Sequence, residues 1–332
     1  MWLSNSSVGR KFIMALTGAC LVLFVTFHCL MNAIAICWPA AYNSVCEFLG
    51  ANWYALIASA GLAVLIILHI IYAMMLTVQN RKARGNDRYA ISRRPKTVEW
   101  SSQNMFVLGV VILAFLAVHM IQFWAKMQLQ EIRGVHDVLP PAAGTLFIQE
   151  AFSQLWTPIV YIIGFIALWF HMNHGVWSMF QTYGWNNNIW MKRLKCISLW
   201  WTSIVVALFV AQAVVFTVLA NKNYYTTDLA LQEQYSEYWA ERAETLNEEL
   251  TAQFAHAMKS VPENGDRNQA LAAFFTSPEC AEFVAAAKTV TEAAAKQCPD
   301  LTIPAVESLA QSAADVEQSI EYAKSVMPNQ NN

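Results

Sequence analysis

The sequence predicts an all-α membrane protein: five transmembrane helices followed by a helical C-terminal extramembrane tail. Three observations carry this. Of 332 residues, 56% are hydrophobic, against about 45–50% in a soluble chain even with glycine counted. Five apolar runs, near 12–37, 53–78, 103–127, 151–178 and 197–220, exceed the roughly 18 residues that suggest a membrane span. Charge then splits the chain. Residues 1–220 hold 14 Lys+Arg against 6 Asp+Glu, and residues 221–332 hold 7 against 17. Such a shift marks a domain boundary, here between a membrane domain, 1–220, and an acidic extension, 221–332.

Each span has its own signals. The first follows Arg10 and Lys11, as a signal peptide would, but its apolar stretch outruns the roughly 7–15 residues of a signal core, so a retained helix is expected. It opens after SNSSVGRK and stops at Trp38 and Pro39. Trp53 and Tyr54 start the second span at the interfacial depth that aromatic residues favour. The third runs from about Gln103 to Gln128. Residues 128–150, with Pro140, Pro141 and Gly144, read as an irregular loop. The fourth span carries Pro158, a candidate kink. The fifth has no ionisable residue and reads as a packing element.

Basic residues orient the chain. Arg10 and Lys11, then Arg81, Lys82, Arg84, Arg88, Arg93, Arg94 and Lys96, then Lys192, Arg193 and Lys195 all fall on one side. The other side holds only Lys126 and Arg133. The positive-inside rule makes the N-terminus cytoplasmic. Five spans then put the tail outside the cytoplasm, which is the periplasmic side if the membrane is a bacterial inner one. The basic segment 79–102 is the expected docking surface for a cytoplasmic partner.

In the tail, residues 226–260 read as one long helix with Asp228 near its start. VPENGD, 261–266, reads as a turn, and shorter helices separated near CPDLTIP follow. No catalytic constellation occurs there, and His256 stands alone. The seven cysteines form no CxxC or CxxCH, so zinc ribbons and covalently attached haem have no support. Disulfides are permitted on the outer side. Cys280 with Cys298, stapling a helical hairpin, and Cys37 with Cys46 are the two candidates. Cys20, Cys29 and Cys196 read as small apolar packers.

The chemistry lies in the histidines. Four spans each carry one near an end of the apolar run: His28, His69, His119, and either His171 or His174. Ionisable groups at such depth face the protein interior and mark function. His28 lies 17 residues past Lys11 and His119 16 past Gln103, roughly 25 Å from the cytoplasmic edge at 1.5 Å per residue. His69 lies 10 residues before Gln79 and His171 10 before Gln181, roughly 15 Å from that edge. The four therefore form two pairs at two levels. Facing imidazoles on two helices can clamp a haem iron from both sides. Such iron has no open position and suits electron transfer. Zinc or copper is disfavoured, because both pairs lie far from water and no carboxylate stands beside either in the sequence. A histidine proton relay is also disfavoured, since no ionisable ladder joins the levels. Unrelated polar residues satisfied by neighbouring helices are the structural alternative.

Five segments in order resemble a family. SSVGRKFIMALTG (6–18) with FHCLMN (27–32), ILHIIYAM (67–74), VHMIQFW (118–124) and HMNHGVWSMFQTYGW (171–185) are similar to the cytochrome b membrane anchor of succinate:quinone oxidoreductases, in its single-subunit, five-helix, dihaem form. That form serves succinate dehydrogenases and fumarate reductases. The resemblance covers about residues 1–220. It implies two haems b, one held by His28 and His119 farther from the cytoplasm, the other by His69 and His171. It names the first histidine of the fourth motif, leaving His174 as a neighbour of the ligand or of a haem propionate. It implies an FAD flavoprotein and an iron–sulfur subunit docked on the cytoplasmic side, quinone, often menaquinone, as the membrane substrate, and a dimer of heterotrimers as one possible assembly. Nothing points to nucleic acid.

Other site candidates follow from the resemblance and position together. Ser7, Arg10 and Lys11 are candidates to meet haem propionates, with plain positive-inside charge as the alternative. Trp177 and Trp100 are candidates to line the inner haem or a quinone pocket, with an interfacial belt as the alternative. Asn32, Asn173 and Gln122 are candidates to support the ligands. Glu47 is the nearest match to an outer-loop acid linked to the quinone site, with a solvated loop residue as the alternative. Two features depart from the family pattern. Trp169 stands where some fumarate reductases carry an acid tied to proton transfer, and residues 221–332 have no counterpart. The rival functional readings are the cytochrome b of a hydrogenase or formate dehydrogenase and a non-redox membrane scaffold working through its tail.

Overall fold

A computed structural model describes residues 6–84, 99–133, 139–261 and 265–326, and these contain helices and no strand. Five helices are long and apolar enough to cross a membrane: Ser7–Cys37, Trp53–Ala83, Trp100–Trp124, Trp156–Thr182 and Asn188–Asn221. The chain is a multi-pass membrane protein. Of the basic segment 79–102, residues 85–98, with Arg88, Arg93, Arg94 and Lys96, lie outside the described residues, as does the centre of the VPENGD turn.

The chain divides into two compact units: Met1–Val135 with Gly144–Lys222, and His136–Ala143 with Asn223–Asn332. The boundary falls within two residues of Asn221. The segment before Gly144, expected in the membrane domain, instead groups with the tail.

In the first unit, α1 (Ser7–Cys37) starts where the Ser6 hydroxyl accepts the Gly9 N–H at 3.0 Å. The helix thus includes VGRK, five residues earlier than the apolar run suggests, because a capped polar turn is as helical as an oily one. Trp38 breaks it, and Pro39 at the first position of α2 (Pro39–Ala51) needs no N–H partner there. The long spans α3 (Trp53–Arg84) and α4 (Trp100–His119) follow. The latter continues into a π-helical turn, Met120–Trp124, closed by Ala125 N–H to Met120 C=O at 2.8 Å.

The expected irregular loop 128–150 is largely helical, as α5 (Gln128–Arg133) and α6 (Gly144–Phe152). Almost all of α6 is buried, and its first turn is held by Asn43, whose Oδ1 accepts Thr145 N–H at 3.0 Å and Thr145 Oγ1–H at 2.8 Å. Gln149 donates to the Ala220 carbonyl at 2.7 Å. The fourth span, α7, is Trp156–Thr182, so Pro158 sits in its first turn, where no amide partner is lost, and makes no mid-helix kink. Gly184, at φ +88°, turns the chain after it. Asn187 then caps α8 (Asn188–Asn221), nine residues ahead of the apolar run.

Helices α1, α3, α4 and α7 surround one axis, each packed on its two neighbours, and α8 lies behind α1 and α7. The diagonals are therefore α1 with α4 and α3 with α7. Alternation of direction is read from contacts: Gly109 pairs in level with His171 and His119 with Tyr161, so α4 and α7 are antiparallel. Thr26 with Trp201 and Cys29 with Val205 make α1 and α8 parallel. One end of this bundle holds the starts of α1, α4 and α8, and is called the near end; the other is the far end.

The second unit is built on α10 (Leu229–Lys259), capped by Asp228 and preceded by the short α9 (Tyr224–Thr227). Around it pack α11 (Arg267–Phe275), α12 (Pro278–Gln297) and α13 (Pro304–Val326). Trp239 is fully buried and donates to Gln297 at 3.0 Å. Gln232 is buried and bridges Asp300 in both directions, at 2.8 and 3.1 Å.

All seven cysteines are free, which corrects both disulfide expectations. Cys280 lies in the first turn of α12 and Cys298 caps its end, so 18 residues of one helix hold them about 27 Å apart. Burial pushes the Cys298 thiol up to about 11.

Candidate functional site

The bundle brings the four histidines together as two diagonal pairs. His28 on α1 and His119 on α4 stand with ring centroids 5.8 Å apart and planes at 81°. His69 on α3 and His171 on α7 stand 6.3 Å apart at 60°. Thr17, the partner of His69, precedes His28 by 11 residues on α1, so the two pairs lie about 16 Å apart along the axis. The far pair is His28–His119 and the near pair is His69–His171.

The far pair is enclosed by aromatic rings. Phe24 stacks on His28 at 5.5 Å, Phe115 and Phe123 flank His119 at 6.0 and 5.3 Å, and Phe209 reaches His28 from α8 at 6.2 Å. His119 Nδ1 meets the Tyr161 hydroxyl at 3.2 Å, and Tyr161 in turn donates to Gln122 Oε1 at 3.0 Å. Gln122 Nε2 donates to Thr157 Oγ1 at 3.1 Å. At His28, the Asn32 amide nitrogen is 3.4 Å from Nδ1 and 3.3 Å from Nε2. It is anchored by donating to the His28 carbonyl at 2.8 Å, while Asn32 Oδ1 accepts from Tyr42 at 3.3 Å.

In the near pair, Thr17 Oγ1 lies 3.1 Å from His69 Nδ1. The hydroxyl proton is engaged by the carbonyls of Ile13 and Met14, at 2.9 and 3.1 Å, so its oxygen accepts from His69 Nδ1–H. That leaves the lone pair of His69 on Nε2. His171 Nδ1 is buried and makes no side-chain hydrogen bond; the Met105 backbone carbonyl acts on this ring. Two glycines border the near pair. A Cβ on Gly18 would stand 3.5 Å from His69 Cε1, and one on Gly109 3.8 Å from His171 Cε1.

These features fit a haem. Two metal–nitrogen bonds of about 2.0–2.1 Å, with each ring centre roughly 1.1 Å behind its nitrogen, require imidazole centroids about 6 Å apart. Both pairs meet that spacing. Among the described residues no group of three His, Cys, Asp or Glu side chains could hold a bare metal ion. A two-imidazole set suits a metal whose other four ligands come with it. Gly18 and Gly109 present backbone, with no side chain, to the edges of the two near-pair rings.

His174 has another place. Its Nδ1 faces Glu99 Oε2 at 3.4 Å, and Glu99 Oε1 accepts from Lys195 Nζ at 2.7 Å. Trp177 lies edge-on to His174 at 4.7 Å and carries the Lys195 ammonium 4.2 Å above its ring. Partial burial opposes ionisation of Glu99, but the Lys195 and His174 hydrogen bonds and charges outweigh it and hold the carboxyl below its ordinary value. The cluster joins α4, α7 and α8 at the near end.

The remaining candidates are dispersed. Ser7 and Lys11 are exposed in the first turns of α1, and Arg10 is half-buried and engaged. Trp100 packs on Phe170 at 5.1 Å. Asn173 accepts from Ser198, and Trp169 donates to Ser203 at 3.0 Å, so both face α8 and away from the pairs. Glu47 is exposed on α2 at the far end. Thr17, Tyr161 and Glu99, which touch His69, His119 and His174, are singled out by no sequence signal, although Thr17 falls within the 6–18 motif: a Thr in an apolar helix, a Tyr among aromatics and an acid between two spans each read as ordinary. No family model, curated protein or solved structure matches the chain.

Proposed function

We propose that this chain is the dihaem cytochrome b anchor of a succinate dehydrogenase or fumarate reductase in a bacterial inner membrane. The observation that carries the reading is the pair of diagonal histidine couples, spaced for bis-imidazole ligation and set at two levels in a bundle of membrane-spanning helices. His28 and His119 hold one haem b, and His69 and His171 hold the other. Bis-imidazole haem iron supplies one-electron exchange without an open coordination position.

The chain's own residues do the rest. Thr17 and Tyr161 orient ligand rings from behind. Phe24, Phe115, Phe123 and Phe209 keep water from the far centre. The N-terminal end, cytoplasmic by its basic residues, receives an iron–sulfur subunit and its FAD flavoprotein. Electrons exchanged with dicarboxylate in those subunits reach a quinone in the membrane.

The test is purification with its neighbours. A dithionite-reduced spectrum with haem b bands and co-purification of a flavin-bearing subunit are expected. A nickel or molybdenum partner instead of a flavoprotein points to a hydrogenase or formate dehydrogenase and defeats the reading. A colourless protein defeats it in favour of a scaffold.

A further inference from the structure

The far pair carries a hydrogen-bond chain that the near pair lacks, and the direction of every bond in it is set. Gln122 Nε2 donates to the buried Thr157 hydroxyl at 3.1 Å, so the other end of the amide, Oε1, faces Tyr161. An amide oxygen has no hydrogen to give, so the single phenol proton of Tyr161 goes to it, at 3.0 Å. What remains on the phenol oxygen is a lone pair, and His119 Nδ1, 3.2 Å away, supplies the N–H that fills it. His119 therefore carries its proton on Nδ1 and its lone pair on Nε2.

The backbone is shaped for this arrangement. The π-helical turn Met120–Trp124 begins directly after His119 and turns Gln122 to α7, where Tyr161 and Thr157 lie one turn apart. Such turns are rare in α-helices and occur frequently at functional sites. At the near pair the Thr17 hydroxyl spends its proton on its own helix, and the chain ends there. His171 Nδ1 makes no side-chain hydrogen bond, and only the Met105 backbone carbonyl acts on its ring.

We propose that Tyr161, held by Gln122, is the positioning residue of the far centre: it locks His119 in the ligating tautomer and sets the reduction potential of the far haem apart from that of the near one. The proposal rests on the dihaem reading above. Its physical basis is polarisation. Dipoles aligned along His119, Tyr161 and Gln122 reinforce one another. They draw the Nδ1 proton outward, make the imidazole more basic and favour the ferric state of a metal on Nε2.

The experiment is a redox titration of the full-length chain, followed optically and by electron paramagnetic resonance, on wild type, Tyr161→Phe, Gln122→Leu and Thr17→Val. Tyr161→Phe is expected to raise the midpoint of one haem, leaving the other in place. Gln122→Leu is expected to move the same haem in the same direction by less. Thr17→Val is expected to move the other haem. Loss of one haem only in Tyr161→Phe also supports the proposal. Two haems in wild type with neither midpoint moved by Tyr161→Phe, or both moved equally, overturns the proposal and leaves the dihaem reading standing. A haem-free wild type overturns both.

Discussion

The far and near histidine pairs share one four-helix frame and one spacing, yet they are furnished differently. Around His28 and His119 stand phenylalanines and neutral hydrogen-bonders, Asn32, Tyr161 and Gln122. Around His69 and His171 stand two glycines and one threonine. One helical turn further along α7, His174 joins Glu99 and Lys195 in a charged cluster at the bundle's edge. A diagonal pair of histidines therefore requires little of its surroundings to form. What the surroundings decide is how firmly each ring is held and how close charge comes to it.

The largest expected effect separates the two histidines of α7. His171→Ala should remove one haem from the purified protein, while His174→Ala should keep both, as counted by pyridine haemochrome. If His174→Ala loses a haem and His171→Ala does not, the near pair has been assigned to the wrong ring.

A smaller effect is expected from glycine. A Cβ on Gly164 would meet Phe115 Cγ at 2.5 Å, and Phe115 packs on His119. Overpacking of this kind costs about 1–3 kcal/mol. Gly164→Ala should lower the melting temperature and disturb the far haem's spectrum only. Gly175→Ala, with open space around its Cβ, should do neither. Equal effects from the two would show that the far pair is not tightly packed.

The smallest effect belongs to the charged cluster. Glu99 and Lys195 side chains are 37% and 42% exposed, so their pairing contributes at most ~1 kcal/mol. Because the Glu99 carboxyl is held below its ordinary value, its contribution is present above the unfolded carboxylate range and is lost as pH falls through the folded value. Glu99→Gln should thus flatten the acid side of the stability–pH profile without changing haem content. A profile identical to wild type would mean the cluster does not couple to folding.

Much of this architecture is legible in the sequence. The spans are, because five apolar runs have no other stable home. The histidines are, because an imidazole at such depth needs a reason. The helices at the far end are not: α2 and α6 are short and mixed in polarity, so hydropathy reads Pro39–Ala51 and Gly144–Phe152 as loop, although capping and burial make both helical. Nor are the partners of the histidines, because each comes from a distant helix: Thr17 is 52 residues from His69, Tyr161 42 from His119, and Glu99 75 from His174. The disulfide expectation fails for a related reason, since residues spaced for a hairpin turned out to share one helix.

Two separate pairs of equal capacity imply one haem at each. Haem per chain, measured on wild type, His28→Ala and His69→Ala, tests it most directly. Two haems b are expected in wild type and one in each variant, with different spectra remaining. One haem or none in wild type, or two haems retained in either variant, would contradict it.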